Sequence, residues 1–251
     1  MHQTNSAQHF RLRRYQPDLA PLVEQFWLVD WDLRGQPSHT QQNWPDPNMH
    51  LVISKQGTKV LGPISKKYLH NMQGQGRIIG VKFNLGVLAK SLPCSIDKAV
   101  DIEFRAADIF KFEQQKLIEN TFHAKSDKAV VEHLSHELQN YTHKIAPAIL
   151  TVQTLAKQIK EDSEINRVEI LAERSHHSVR SLQRMFKTYV GLSPKWMIRK
   201  YRLHHALEML ESEQLSLAEL ASNLGYADQS HLIRDFNEFL DITPNKYAQA
   251  N

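Results

Sequence analysis

The sequence predicts an α+β protein: a β-rich barrel or sandwich domain with flanking helices, then an all-α part of two similar helical units joined by a connector helix. Three observations carry this. Short apolar or alternating runs broken by turn residues fill the first hundred residues. Helical spacing of apolar residues replaces them from about Phe104. Within the last hundred residues a segment repeats itself at an offset of fifty.

The strand candidates are Phe26 to Trp31, Met49 to Ile53, Lys59 to Leu61 and Ile78 to Phe83. Turn residues punctuate them, such as Gly35 and Pro37, Pro45 to Asn48, Gly62-Pro63, and Gly74 with Gly76. Leu117 and Phe122, then Val130, Val131, Leu134, Leu138 and Tyr141, recur at helical spacing and close the β-rich domain, read as residues 1–145. Lys144 to Pro147 is the candidate linker, and 148–251 forms the second domain.

In that second domain Ser178-Val179-Arg180-Ser181-Leu182-Gln183-Arg184-Met185-Phe186 aligns with Asp228-Gln229-Ser230-His231-Leu232-Ile233-Arg234-Asp235-Phe236. Gly191-Leu192-Ser193-Pro194 then aligns with Asp241-Ile242-Thr243-Pro244. Each copy has helix-turn-helix punctuation, at about 165–192 and 215–242. A short helix (Val168 to Arg174; Leu217 to Leu224) carries a small residue, Ala172 or Ala221, that permits close approach of a neighbour. Gly225 suits a left-handed turn, and Ser178 and Asp228 are N-caps of the second helices. Leu182 and Phe186, and Leu232 and Phe236, supply the core stripes. The opposite face of the first unit offers Arg180, Gln183, Arg184 and Lys187; that of the second offers Gln229, Ser230, Ile233, Arg234 and Asn237. Arg matches guanine and Gln matches adenine at the major-groove edge, and an apolar Ile suits a thymine methyl. One such face is ordinarily just solvated; the same face at the same place in two copies points to duplex DNA.

These residues resemble the DNA-binding domain of the AraC/XylS family of bacterial transcriptional regulators. The resemblance runs through Leu171-Ala172, Ser178, Leu182, Arg184 and Phe186, then Gly191, Ser193-Pro194, Arg202-Leu203, Ala206 and Leu210. It continues through Leu220-Ala221, Gly225-Tyr226, Asp228, Ser230, Arg234, Phe236, Thr243-Pro244 and Tyr247. Asp241 departs from the family's glycine, and His231-Leu232 from its aromatic pair. The resemblance implies base reading by Arg180, Ser181, Gln183 and Arg184 in the first unit. In the second it implies Gln229, Ser230, His231, Ile233 and Arg234. Lys187, Lys195 and Arg199 are the phosphate candidates, and Lys195 to about Leu210 is the connector. Pro45-Asp46, Gly62-Pro63 and Gly80-Val81-Lys82-Phe83 resemble a less characterised β-rich domain found before some of these regulators. Such a domain would sense a small-molecule effector or mediate assembly, for instance as a homodimer; RNA polymerase is the further partner implied.

Composition narrows the alternatives. The 251 residues are 41% hydrophobic and 23% charged, a globular profile without an 18-residue apolar run, so no membrane association is expected. No N-terminal apolar h-region stands out, and a cytoplasmic, nucleoid-associated protein is expected. Cys94 is the lone cysteine, which excludes a disulfide framework and disfavours the competing reading, an enzyme that accepts methyl groups from damaged DNA on a thiolate cluster. No catalytic residue, metal ligand set or cofactor is expected. His39, His50 and His70 lack metal-ligand spacing. Trp27, Trp31 and Trp44 are read as core packing, with a pocket lining as the other reading. The net charge of +4 hides an asymmetry: residues 168–205 carry +6 and 206–251 carry −6.

Overall fold

The structure, a computed structural model, describes residues 9–16, 18–19, 22–212 and 215–250. The chain divides into two compact units. One comprises residues 1–150 with Thr188–Gly191; the other comprises Thr151–Lys187 and Leu192–Asn251.

In the first unit eight strands form two sheets. They are β1 (Phe10–Tyr15), β2 (Val23–Leu33), β3 (His39–Asn43), β4 (His50–Ser54), β5 (Gly57–Leu61), β6 (Tyr68–Met72), β7 (Gly74–Phe83) and β8 (Glu103–Arg105). Six of them make an open antiparallel sheet in the order β1-β2-β7-β4-β5-β8, and β3 pairs with β6 in a second, two-stranded sheet. Period-two alternation decides which side chains meet. Phe26 and Leu28, Leu51 and Ile53, Val60, and Ile79, Val81 and Phe83 point to one face and are buried. That face packs against α1 (Gln114–His123) through Leu117 and against α2 (Asp127–Leu138) through Val130, Leu134 and Leu138. Each such side chain is worth about 1.5–3 kcal/mol of burial.

Helix α2 is held at its start by charge. Ser126 caps it, accepting from the Ala129 N–H at 3.2 Å, and Asp127 binds Arg13 of β1, Arg77 of β7 (2.5 Å) and the Tyr15 hydroxyl (2.9 Å). The barrel or sandwich expected from the strand pattern is therefore an open sheet, with helices on one face and a two-stranded sheet near the other.

The second unit is helical among its described residues: α3 (Pro147–Glu161), α4 (Val168–Arg174), α5 (Val179–Tyr189), α6 (Pro194–Ser212), α7 (Leu217–Asn223), α8 (Gln229–Leu240) and α9 (Pro244–Ala250). Helix α3 buries Val152, Leu155, Ala156 and Ile159, the stripe of an amphipathic helix. Arg174 at the end of α4 binds Asp162 and Glu164 (2.6 Å), tying α4 to the turn after α3. No described helix is long and apolar enough to cross a membrane.

Candidate nucleic-acid interface

Helix α5 is sharply two-faced. Leu182 and Phe186 are fully buried, together with Val190 just beyond the helix, while Arg180, Gln183, Arg184 and Lys187 are exposed. Ser178 caps the helix, its Oγ accepting from the Ser181 N–H at 3.1 Å. Ser181 itself is half-buried. The side chains of Arg180, Gln183 and Arg184 make no hydrogen bond or ion pair among the described residues. Two guanidinium groups and an amide thus stand in a row with every donor available. Lys195, in the first turn of α6, is exposed as well.

Helix α8 repeats the design with different chemistry. Asp228 caps it, accepting from the His231 N–H at 2.7 Å, and Leu232, Phe236, Phe239 and Leu240 are buried. Gln229, Ser230 and Arg234 are exposed. Ile233 is half-buried, and so is His231, whose ring meets the Tyr226 ring edge-on at 5.6 Å. Ser216 and Glu219 close a reciprocal capping box at the start of α7, which burial of Leu220 and Ala221 anchors. Ser193 and Thr243 cap α6 and α9 ahead of Pro194 and Pro244.

One feature was not foreseen from the sequence. Asp235 of α8 lies on the buried stripe at 0% exposure. Its carboxylate accepts from Arg199 of α6 at 2.7 and 3.0 Å and from the Tyr226 hydroxyl at 3.1 Å, with Arg202 at 3.6 Å. Arg199 also binds Glu238 at 2.5 Å and lies 5.3 Å from the Phe239 ring centroid; Arg202 stacks on Tyr226 at 3.8 Å. These bonds to Glu238 and Asp235 push the Arg199 pKa up despite burial, and Arg199 in turn holds the Glu238 carboxyl below its ordinary value. Burial, followed by the nearby Asp235 charge, pushes the Tyr226 hydroxyl up. The network fastens the recognition helix α8 to the connector α6. Arg199, expected among the phosphate-facing cations, is engaged here by Asp235 and Glu238, and the buried carboxylate draws on its charge. The signal in the sequence was the acid itself, at a position where the first unit has Met185.

The connector is longer than its expected span. It runs from Pro194 to Ser212, nineteen residues, or about 28 Å at 1.5 Å per residue. Pro194, Met197, Ile198, Leu203, Ala206 and Leu207 are its buried positions, together with Arg202. Tyr247 of α9 donates to Glu211 near its far end at 2.6 Å.

A family model described as a helix-turn-helix domain matches residues 171–250, and one described as a domain of unknown function (DUF6597) matches residues 13–104. The multiple antibiotic resistance protein MarA of Escherichia coli is 30% identical over 103 residues, 41% of this chain and 81% of MarA. An uncharacterized HTH-type transcriptional regulator of Haemophilus influenzae is 29% identical over 83 residues. That match is 33% of this chain, and it spans only 28% of the relative's length. Among solved structures, the C-terminal domain of AraT, a response regulator from Geobacillus stearothermophilus, is 26% identical with a TM-score of 0.38, covering 43% of this chain and 88% of that one.

Proposed function

We propose a division of labour for this chain, which belongs to the AraC/XylS family of transcriptional regulators and binds DNA sequence-specifically: α5 and α8 read successive major-groove segments of one operator. Arg180, Ser181, Gln183 and Arg184 read bases in the first segment; Gln229, Ser230, His231, Ile233 and Arg234 read them in the second. Lys187 and Lys195 face phosphate. The observation that carries this reading is the row of exposed side chains on α5 whose hydrogen-bonding groups the protein leaves unspent. An exposed Arg–Gln–Arg row on a rigid, capped helix matches guanine and adenine edges with little reorganisation.

The two-domain organisation, 1–145 and 148–251, belongs to the same reading. The first domain modulates operator binding through a small-molecule effector or a second copy of the chain, and RNA polymerase is the partner through which regulation acts. The family is one of transcriptional regulators rather than enzymes, and a cytoplasmic site of action at the nucleoid is part of the same proposal. A methyl-acceptor enzyme would need a thiolate cluster, and Cys94 is the lone cysteine.

The test uses the full chain. Select its preferred duplex from a random pool, then measure the Arg180→Ala/Arg184→Ala variant on that duplex and on random DNA by fluorescence anisotropy. Preferred-site affinity should fall by about 1–3 kcal/mol per lost bidentate contact, with random-duplex affinity changing far less. Equal losses on both would overturn base reading by α5.

A further inference from the structure

The open sheet has a second face, turned away from its core. Strand alternation places Trp27, Val29 and Trp31 of β2 there, with Gly76, Ile78 and Gly80 of β7 beside them. The register sets Trp27 directly across from Gly80, and Trp31 across from Gly76. A Cβ on Gly80 would fall 1.9 Å from Trp27 Cε2, and one on Gly76 would fall 2.1 Å from Trp31 Cζ2. Both indoles therefore lie across the neighbouring strand, in space that only glycine leaves.

Their N–H groups are tethered as well. Trp27 Nε1 donates to His50 Nδ1 at 3.2 Å, and Trp31 Nε1 donates to the Gln73 carbonyl at 3.2 Å. With their edges fixed, both rings pack on this side of the sheet and stay only partly buried. Trp27 and Trp44 line a cavity of about 300 Å³ between this face and the β3–β6 sheet. Trp31 lines an adjoining, more open groove of about 1140 Å³, which shares Phe10, Val52, Lys59, His70 and Ile78 with the cavity. Trp27 and Trp31 pack, partly buried, against a small cluster of Val52, Leu61 and Ile78, so they have the packing role read for them and border these cavities as well, while the main core takes the alternate residues Phe26 and Leu28.

The polar groups of the cavity are spent unequally. Lys59 is paired with Glu103 at 2.7 Å, and Lys82 with Glu24 and Asp46 at 3.1 and 3.0 Å. Gln41 of β3 is only 8% exposed; its Nε2 donates to the Gln42 carbonyl at 2.9 Å, while its Oε1 has no donor among the described residues. That oxygen is not sealed from solvent, so it is available to accept from a donor that enters the cavity.

From this geometry we infer that the cavity is a binding site for a neutral, planar, two-ring aromatic molecule carrying an N–H or O–H donor, stacked on Trp27 and hydrogen-bonded to Gln41. The size follows from volume: roughly 150 Å³ of apolar cavity holds one benzene ring, and this cavity has about twice that. The paired lysines favour a neutral ligand, with Arg14, the remaining arginine of the lining, exposed and held by solvent rather than by an ion pair among the described residues. The inference rests on the reading that the N-terminal domain takes an effector, and it names the chemical class.

The experiment is calorimetry on the full chain without DNA, with indole, its donor-free isostere benzothiophene, and indole-3-acetate as probes. Indole should bind about fivefold or more tightly than benzothiophene, the value of one hydrogen bond. Gln41→Leu should erase that preference while benzothiophene still binds, and Trp27→Ala should weaken both about tenfold or more, each variant first shown to melt cooperatively. No binding of either neutral probe, binding that ignores both substitutions, or tenfold tighter binding of indole-3-acetate would overturn the assignment. A separate operator titration with and without indole reads modulation. Unchanged operator affinity at saturating indole would remove the effector reading and leave the site standing.

Discussion

The turn of each helix-turn-helix unit closes on a single left-handed residue: His176 at φ 54° in the first and Gly225 at φ 66° in the second. The residues after them donate equivalently, His177 N–H to the Ala172 carbonyl at 3.0 Å and Tyr226 N–H to that of Ala221 at 2.9 Å. His176 is exposed, so its left-handed backbone is strained without compensation from packing. His176→Gly should stabilise the helical unit by about 0.5–1 kcal/mol, strain relief less the added entropy of the unfolded chain. Gly225→Ala should act oppositely and cost roughly 2 kcal/mol, since left-handed alanine is strained and its Cβ would meet Asn166 Nδ2 at 2.4 Å. Urea melts followed by circular dichroism check both; a destabilised His176→Gly would show that the imidazole contributes what the sequence does not reveal. A third such position, Asp241 at φ 59°, ends α8 where Gly191 at φ 80° stands in the first unit. Its departure from glycine is accommodated without breaking the helix end, because short polar side chains tolerate this region.

At the scale of elements, what was legible depended on whether one face of an element is dry. Strands β2, β4, β5 and β7 pack a face into the core and advertise it with Phe, Leu, Ile and Val. Strand β1 hides its role because Arg13 is occupied by Asp30 and Asp127, so an arginine stands where an apolar residue would signal burial. Strands β3 (HTQQN) and β6 (YLHNM) border a cavity and keep polar side chains that read as loop. The recognition helices were legible through repetition, whereas the α6–α8 fastening was not: Arg199 and Asp235 are 36 residues apart and each looked like surface charge. Removing one partner exposes the difference. Arg199→Ala leaves buried Asp235 with only the Tyr226 hydroxyl and Arg202 at 3.6 Å and should cost about 1.5–3 kcal/mol, the range of a hydrogen bond to a charged group, whereas a surface cation would cost almost nothing. Acid should act on the same joint. Glu238 titrates below its ordinary 4.5, held down by Arg199. A depressed carboxyl contributes stability that is complete above the unfolded value and lost as the pH falls through the folded one. The stability gap between the protein and Glu238→Gln should therefore be open at pH 7 and close as the pH falls below about 4.5. A gap constant from pH 7 to about 3 would sink the pairing as the cause.

Over the whole molecule, the ion pairs redraw the charge asymmetry on which DNA affinity depends. By sequence, residues 168–205 carry +6 and 206–251 carry −6. Arg199 and Arg202 of the first block, however, face Asp235 and Glu238 of the second; with these four set aside, the rest of the two blocks carries +4 and −4. The other cations of the first block are Arg180, Arg184, Lys187, Lys195 and Lys200, with Arg174 bound to Asp162 and Glu164; those of the second are Arg234 and Lys246. Each phosphate neutralised adds roughly 0.9 to the magnitude of the log–log salt slope on B-DNA. The first unit should accordingly supply most of the affinity and most of the slope. Lys187→Ala should lower the slope by about 0.9 and weaken preferred and random duplexes alike. The second unit should contribute discrimination instead: Arg234→Ala should cost about 1–3 kcal/mol on the preferred site and little on random DNA. The competing arrangement has the acids of 206–251 facing away from DNA, so that both units draw phosphate equally. Salt titrations of the two variants on both duplexes separate these. If Arg234→Ala flattens the slope and weakens random-duplex binding as much as Lys187→Ala does, the surviving charge imbalance has no consequence for binding, and affinity is shared evenly between the two recognition helices.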